Sequence, residues 1–236
     1  MRIEDMTSCE FREIIKRDPI VFLPIGATEA HGAHLPLSTD SLQPEAISEM
    51  LAIRLNGLVA PSIKYGYHSS TKNMAGTIGL EFETLRNLVF DVISSLAKNG
   101  INKIVVISGH AGVLHMAALR LACQQAVESF DLKLMLVADY EFAKEITCEL
   151  GCNNKDGHGG FVETARVLAI RPELVKETHV KGTFIDKNFM IVRNPETCYP
   201  QGIVGNPSEA SVEVGKRINE YIAQRIEKLV RLNFGD

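Results

Sequence analysis

Short, nearly uninterrupted apolar runs alternate along this chain with longer stretches in which apolar residues recur at three- and four-residue spacing. The first kind reads as strands covered on both faces, and the second as helices that lay one apolar stripe on a sheet. Strands are predicted at Ile20–Gly26, Leu58–Ile63, Ile104–Ser108 and Leu134–Asp139, and helices at Leu42–Leu55, Glu83–Asn99, Val113–Phe130, Val162–Ala169 and Ala210–Leu232. Strand and helix in this alternation predict an α/β fold of three layers, α/β/α, around a mainly parallel central sheet. Thr183–Pro207, with three prolines, is a long turn-rich passage that reads as a lid or an oligomer contact.

The 236 residues, 45% of them hydrophobic, suffice for one α/β domain with a sizeable core. The first twenty residues mix charges with apolar positions and lack the apolar run of an export signal. Elsewhere charged residues interrupt every apolar stretch well short of the roughly 20 residues that span a bilayer. The five cysteines are odd in number and form no CxxC pair, which argues against a disulfide framework or a thiolate zinc site and for a reducing cytoplasm. A net charge of −4 with mixed signs leaves no basic footprint for nucleic acid and favours a small-molecule ligand.

Ligands of open α/β sheets bind at the carboxyl ends of the strands, and three loops there carry chemistry. The first follows Ile20–Gly26 and holds Glu29, His31, His34 and Asp40 within twelve residues. Glu29 and His31, two apart on an extended segment, leave the same face, and Asp40 returns from the loop. A carboxylate can bridge two cations, and a mixed imidazole and carboxylate set suits Zn²⁺, Mn²⁺ or Fe²⁺. A lone histidine at a strand end commonly just bonds the backbone, but four such groups buried together without a cation would compete for few donors. The second loop, Ser108–Gly112, turns sharply at His110, which reads either as a metal ligand or as part of a phosphate cradle. The third, Asp156–Thr164, sets His158 among glycines, as suits a proton shuttle, and places Glu163 on the first turn of a helix, where favourable interaction with the helix dipole is the simplest reading. His68, His115 and His179 lack such company and read as structural or surface histidines.

Together these segments resemble the creatininase family, from about Pro24 to about Gly215. The stretch E-x-H-G-x-H-L-P-x-x-x-D is the specific part, and the resemblance implies that Glu29, His31 and Asp40 are metal ligands, with His110 another. His158–Thr164 resembles the family's H-G-G-x-x-E-T, whose histidine gives or takes a proton. Gly202–Ser211 and Ala75–Leu80 match its closing Asn-Pro and central Gly-Thr segments. Creatinine-hydrolysing members carry a Glu at the position of Gly112 that binds a second ion, and tryptophans against the substrate; this chain has no Trp. Glu163 or water would then complete the second site. The resemblance implies an amidohydrolase holding two divalent ions: Glu29, Asp40 and His110 on one, His31 and the bridging Asp40 on the other, with His158, Glu163 and His34 as the acid–base candidates. It also implies a homo-oligomer, commonly a hexamer. The family includes a formylaminopyrimidine-nucleotide deformylase and a cofactor-precursor peptidase. A non-catalytic α/β nucleotide- or partner-binding module is the reading from another class.

Overall fold

The computed structural model describes residues 1–147, 149–150 and 156–235, so that Cys148 and Cys152, two of the five cysteines, lie outside the described residues. Four parallel strands, β1 (Ile20–Ile25), β2 (Leu58–Val59), β3 (Lys103–Ser108) and β4 (Lys133–Ala138), lie in the order β2-β1-β3-β4. The helices are α1 (Ser8–Ile15), α2 (Thr39–Arg54), α3 (Phe82–Lys98), α4 (Val113–Ser129), α5 (Asp139–Thr147), α6 (Phe161–Ile170) and α7 (Val212–Phe234).

Alternate side chains of a strand point to opposite faces, and the two central strands show what that does here. Val21, Leu23, Ile25, Ile104 and Val106 enter one apolar core with α3 and α4. Phe22, Val105 and Ile107 enter the other, with α2, α6 and α7. Being apolar on both faces is why these runs show no polar alternation, and both layers of helices follow from it.

Three boundaries differ from expectation for identifiable reasons. The second strand ends at Val59 because the register slips by one residue beyond it: Ala60 N–H donates to Phe22 O at 2.9 Å, but the next bond to β1 comes from Ile63 N–H to Pro24 O at 3.1 Å, and the Ile63 carbonyl accepts from Gly26 N–H at 2.8 Å. Helix α2 begins at Thr39 rather than Leu42, which puts Asp40 on a helical first turn instead of a loop. Helix α5, not foreseen, starts directly at the end of β4. The passage 183–207 contains only short turns and a bridge between Gly182 and Gly205.

Among the described residues no helix is long and apolar enough to cross a membrane. The α-helical layer beside α7 is pinned by a fully buried ion pair, Arg166 Nη2 to Asp139 Oδ2 at 2.6 Å, with Arg166 Nε donating to Asn219 at 2.9 Å. Breaking a buried pair leaves one uncompensated charge, so Arg166→Ala is expected to cost about 3–5 kcal/mol in urea unfolding, and Arg166→Met combined with Asp139→Leu far less. Equal losses in the single and double variants would show that charge is not what this contact supplies.

Candidate metal centre

The carboxyl ends of β1 and β3 deliver the site. Beyond β1 the loop carrying Glu29 and His31 is clamped on the segment Ala75–Leu80: Ala30 N–H donates to Thr77 Oγ1 at 3.0 Å and Ile78 N–H to Thr28 O at 2.9 Å. Gly26 and Gly109, at the two strand ends, let α2 approach. A Cβ on Gly109 would lie 2.2 Å from the Asp40 carbonyl, and one on Gly26 2.5 Å from it. Asp40 therefore reaches the rim because two glycines leave room for its helix.

Four side chains then meet around one carboxylate. His110 Nδ1 lies 2.9 Å from Glu29 Oε2 and 2.9 Å from Asp40 Oδ2. On the other side His31 Nε2 lies 3.0 Å from Asp40 Oδ1 and 3.6 Å from Glu163 Oε2. Each imidazole gives its other ring N–H to a backbone carbonyl, His31 Nδ1 to Glu29 O at 3.0 Å and His110 Nε2 to Tyr67 O at 3.2 Å. That hydrogen bond fixes the tautomer and aims the remaining lone pair at the carboxylates, the arrangement by which metal-ligating histidines are oriented. Glu29 Oε2, Asp40 Oδ2 and His31 Nε2 are buried without a hydrogen-bond partner. Lone pairs facing one another in a buried site call for a cation, and Glu29 with His68 and His110, and His31 with Asp40 and Glu163, are spaced to hold one. The residues thus fit bound divalent metal.

Without a metal, protons take that place. Burial disfavours a charged His31, but Asp40, Glu163 and Glu29 outweigh it and raise its pKa to about 10. For the same reasons His110, beside Glu29 and Asp40, is held well above its ordinary value. Burial likewise opposes charge on Glu29 and Asp40, yet the neighbouring imidazoles hold both below the usual carboxylate range. Glu163 differs: burial pushes it up to about 7, against the pull of His31 and with the Asp40 charge adding to the rise, while its Oε2 accepts from Gly159 N–H at 2.6 Å.

His158 lies beside this cluster, its ring centroid 4.1 Å from that of His31 and its Nε2 donating to Ala30 O at 2.8 Å. The backbone around it is tied to the segment Gly202–Ser211, with Val204 N–H donating to His158 O at 2.7 Å. Burial and the adjacent His31 charge lower its pKa to about 4. A cleft of about 200 Å³ opens over Glu29, Asp40, His110, His158 and Glu163, walled by Tyr140 and Tyr199. Of the predicted site residues, His31 and His34 do not line it: His31 lies beneath, against Asp40, and His34 Nε2 is 2.9 Å from Thr164 Oγ1, where burial, with the His31 charge, lowers its pKa to about 4. Helix α4 begins after Gly112, where a Cβ would lie 2.7 Å from His110 Nε2, so the imidazole occupies the space a side chain at 112 would need.

Sequence reasoning passed over His68. It lies in the loop beyond β2, 4% exposed, with Nδ1 3.5 Å from Glu29 Oε1. Its position after a strand end, like those of Glu29 and His110, is the signal that could have found it. His115 is structural as expected: it accepts from Tyr67 N–H at 3.3 Å and lies 3.2 Å from Ser108 Oγ, which donates to His110 O at 2.8 Å. His179 is exposed beside Glu177.

A family model described as creatininase, creatinine amidohydrolase, matches residues 4–230. The chain is 32% identical to the creatinine amidohydrolase of Pseudomonas putida, over 92% of this chain and 90% of that one. It is 30% identical to the mycofactocin precursor peptide peptidase of Mycobacterium ulcerans, over 90% and 85% respectively. A solved creatininase variant of the Zn–Zn type superposes with a TM-score of 0.88 at 27% identity, covering 100% of this chain and 98% of that one.

The pKa of His31 yields a pH dependence. A group raised from 6.5 to about 10 on folding stabilises the metal-free protein fully below pH 6.5, and this contribution is lost as pH rises toward 10. The melting temperature of chelator-treated protein is therefore expected to fall across that range, and less steeply in His31→Gln. Titration with Zn²⁺ at pH 8 should release roughly two protons, read from calorimetry in buffers of different ionisation enthalpy. Identical pH slopes for the two proteins, or no proton release, would contradict the assignment.

Proposed function

The chain belongs to the creatininase family, and from that membership we propose that it is a metal-dependent hydrolase that cleaves the carbon–nitrogen bond of a small amide, cyclic amide or formamide. The observation that carries this reading is the Asp40 carboxylate between two imidazoles whose lone pairs are aimed at it. We assign Glu29, Asp40 and His110 to one divalent ion, and His31, Asp40 and Glu163 to the other, with Glu163 taking the role that a side chain at Gly112 cannot. Zn²⁺, Mn²⁺ or Fe²⁺ suits these donors. Such a pair lowers the pKa of bound water and polarises a carbonyl, stabilising the oxyanion that attack creates.

The side chains do the rest. Glu29, Asp40 and Glu163 supply negative charge against the two cations. Because Nε2 of His158 is committed to Ala30 O, its Nδ1 is the atom left to exchange protons. Neutral at pH 7, His158 takes a proton from the attacking water and passes it to the leaving nitrogen. Tyr140 and Tyr199 bound a cleft of about 200 Å³, which suits a small substrate. With no Trp in the chain, these tyrosines are the aromatic surface on offer, which argues against creatinine itself.

The reading extends to a single domain working in the cytoplasm as a homo-oligomer, with six copies the expected number. Exposed apolar side chains concentrated at Phe184, Ile185, Phe189, Met190 and Ile191 support the association. A peptide-trimming activity is the second reading, favoured by the likeness to the Mycobacterium ulcerans peptidase.

Metal-loaded protein offered a series of cyclic amides, formamides and short peptides is expected to turn over a member of the first two classes. On that substrate His158→Ala should lower kcat by about 10²–10⁴-fold while keeping full metal content by elemental analysis. Unchanged kcat would remove His158 from proton transfer; loss of an ion would make it a ligand.

A further inference from the structure

The ring of His68 is 4% exposed, and neither of its nitrogens has a hydrogen-bond partner. A buried polar atom left unpaired keeps the full cost of its lost hydration, so two on one ring need compensation. The ring is not there to fill space cheaply. Gly79 packs its bare Cα against it, where a Cβ would lie 2.9 Å from Cδ2, so the backbone is cut back to admit the imidazole. What it faces is Glu29: Nδ1 stands 3.5 Å from Oε1, and the His68 and His110 ring centroids are 5.2 Å apart. Glu29 Oε1 also accepts from the Thr71 hydroxyl, which holds the carboxylate with one oxygen toward His68 and the other toward His110. One donor atom from each of Glu29, His68 and His110 can be chosen so that all lie within 4.8 Å of one another.

We propose that His68 is an additional imidazole ligand of the cation held by Glu29 and His110. The proposal rests on the metal-dependent reading and deepens it. The site beside Glu29 then holds two imidazoles and the site beside Glu163 one, so the former is the softer of the two and favours Zn²⁺ over harder ions. His68 also lies beyond β2, so a third strand end contributes to the centre. With Nδ1 bound to a cation, only Nε2–H of this ring remains without a partner.

The test counts imidazoles. In protein loaded with Co²⁺, each bound histidine contributes a hyperfine-shifted exchangeable ring N–H resonance to the proton spectrum. Three are expected, from His31, His68 and His110. His68→Gln should remove one of the three and weaken one class of Co²⁺ site by at least about tenfold in chelator competition, leaving the other class unchanged. Should that variant not fold, the wild-type count still tests the proposal, since fewer than three resonances contradict it without any substitution, and a count of three that His158→Ala leaves unchanged supports it. Two resonances in wild-type protein, or a spectrum and affinities that His68→Gln leaves unaltered, would overturn the assignment while the two-ion reading stood. No shifted resonances at all would overturn both.

Discussion

The Asp40 carboxylate is buried between two imidazoles, 3.0 Å from His31 Nε2 and 2.9 Å from His110 Nδ1, and the same two nitrogens face the carboxylates of Glu163 and Glu29. Three carboxylates removed from water in so small a volume are tolerable only against concentrated positive charge, because isolated buried anions cost many kilocalories. Protons on His31 and His110 supply that charge in the metal-free protein. The requirement explains features that would otherwise look unrelated: the glycines that admit α2, the backbone carbonyls that fix both tautomers, and the burial of every group involved.

The scaffold around this charge is built to prevent adjustment. The Tyr67 carbonyl holds His110, and Tyr67 N–H in turn engages His115, whose other nitrogen meets Ser108, which reaches back to the His110 carbonyl. The His115 ring packs edge-on to His110 at 4.7 Å between centroids, and burial with the His110 charge keeps it well below its ordinary pKa. A neutral histidine thus holds His110 through a closed chain of hydrogen bonds. His158 is tied at Nε2 and through its carbonyl, which leaves its ring position fixed and one nitrogen free for chemistry.

Much of this was legible from the chain. Apolar runs buried on both faces identified the parallel sheet, and the close spacing of Glu29, His31 and Asp40 placed the site at the end of β1. Gly112, lacking the carboxylate that the resemblance leads one to expect, leaves Glu163 or water for that place, and Glu163 Oε2 lies 3.6 Å from His31 Nε2. Other features required three dimensions. Helix α2 opens on three polar residues, Thr39, Asp40 and Ser41, before the apolar periodicity starts at Leu42, so Asp40 reads as a loop residue in the sequence. His34 has the spacing of a ligand, but the turn at Gly32, with φ of 68°, goes with a ring that pairs with Thr164 outside the cleft. His68 has no motif around it, and only the folding of the loop beyond β2 against Glu29 gives it company.

The account stands or falls on whether Asp40 is shared by two ions. Anomalous diffraction from crystals of the protein loaded with Zn²⁺, recorded on both sides of the zinc edge, tests this most directly. Two peaks roughly 3.5–4 Å apart are predicted, one beside Glu29 and His110 and one beside His31 and Glu163, with Asp40 between them. A single peak away from Asp40, or none at all, would contradict it.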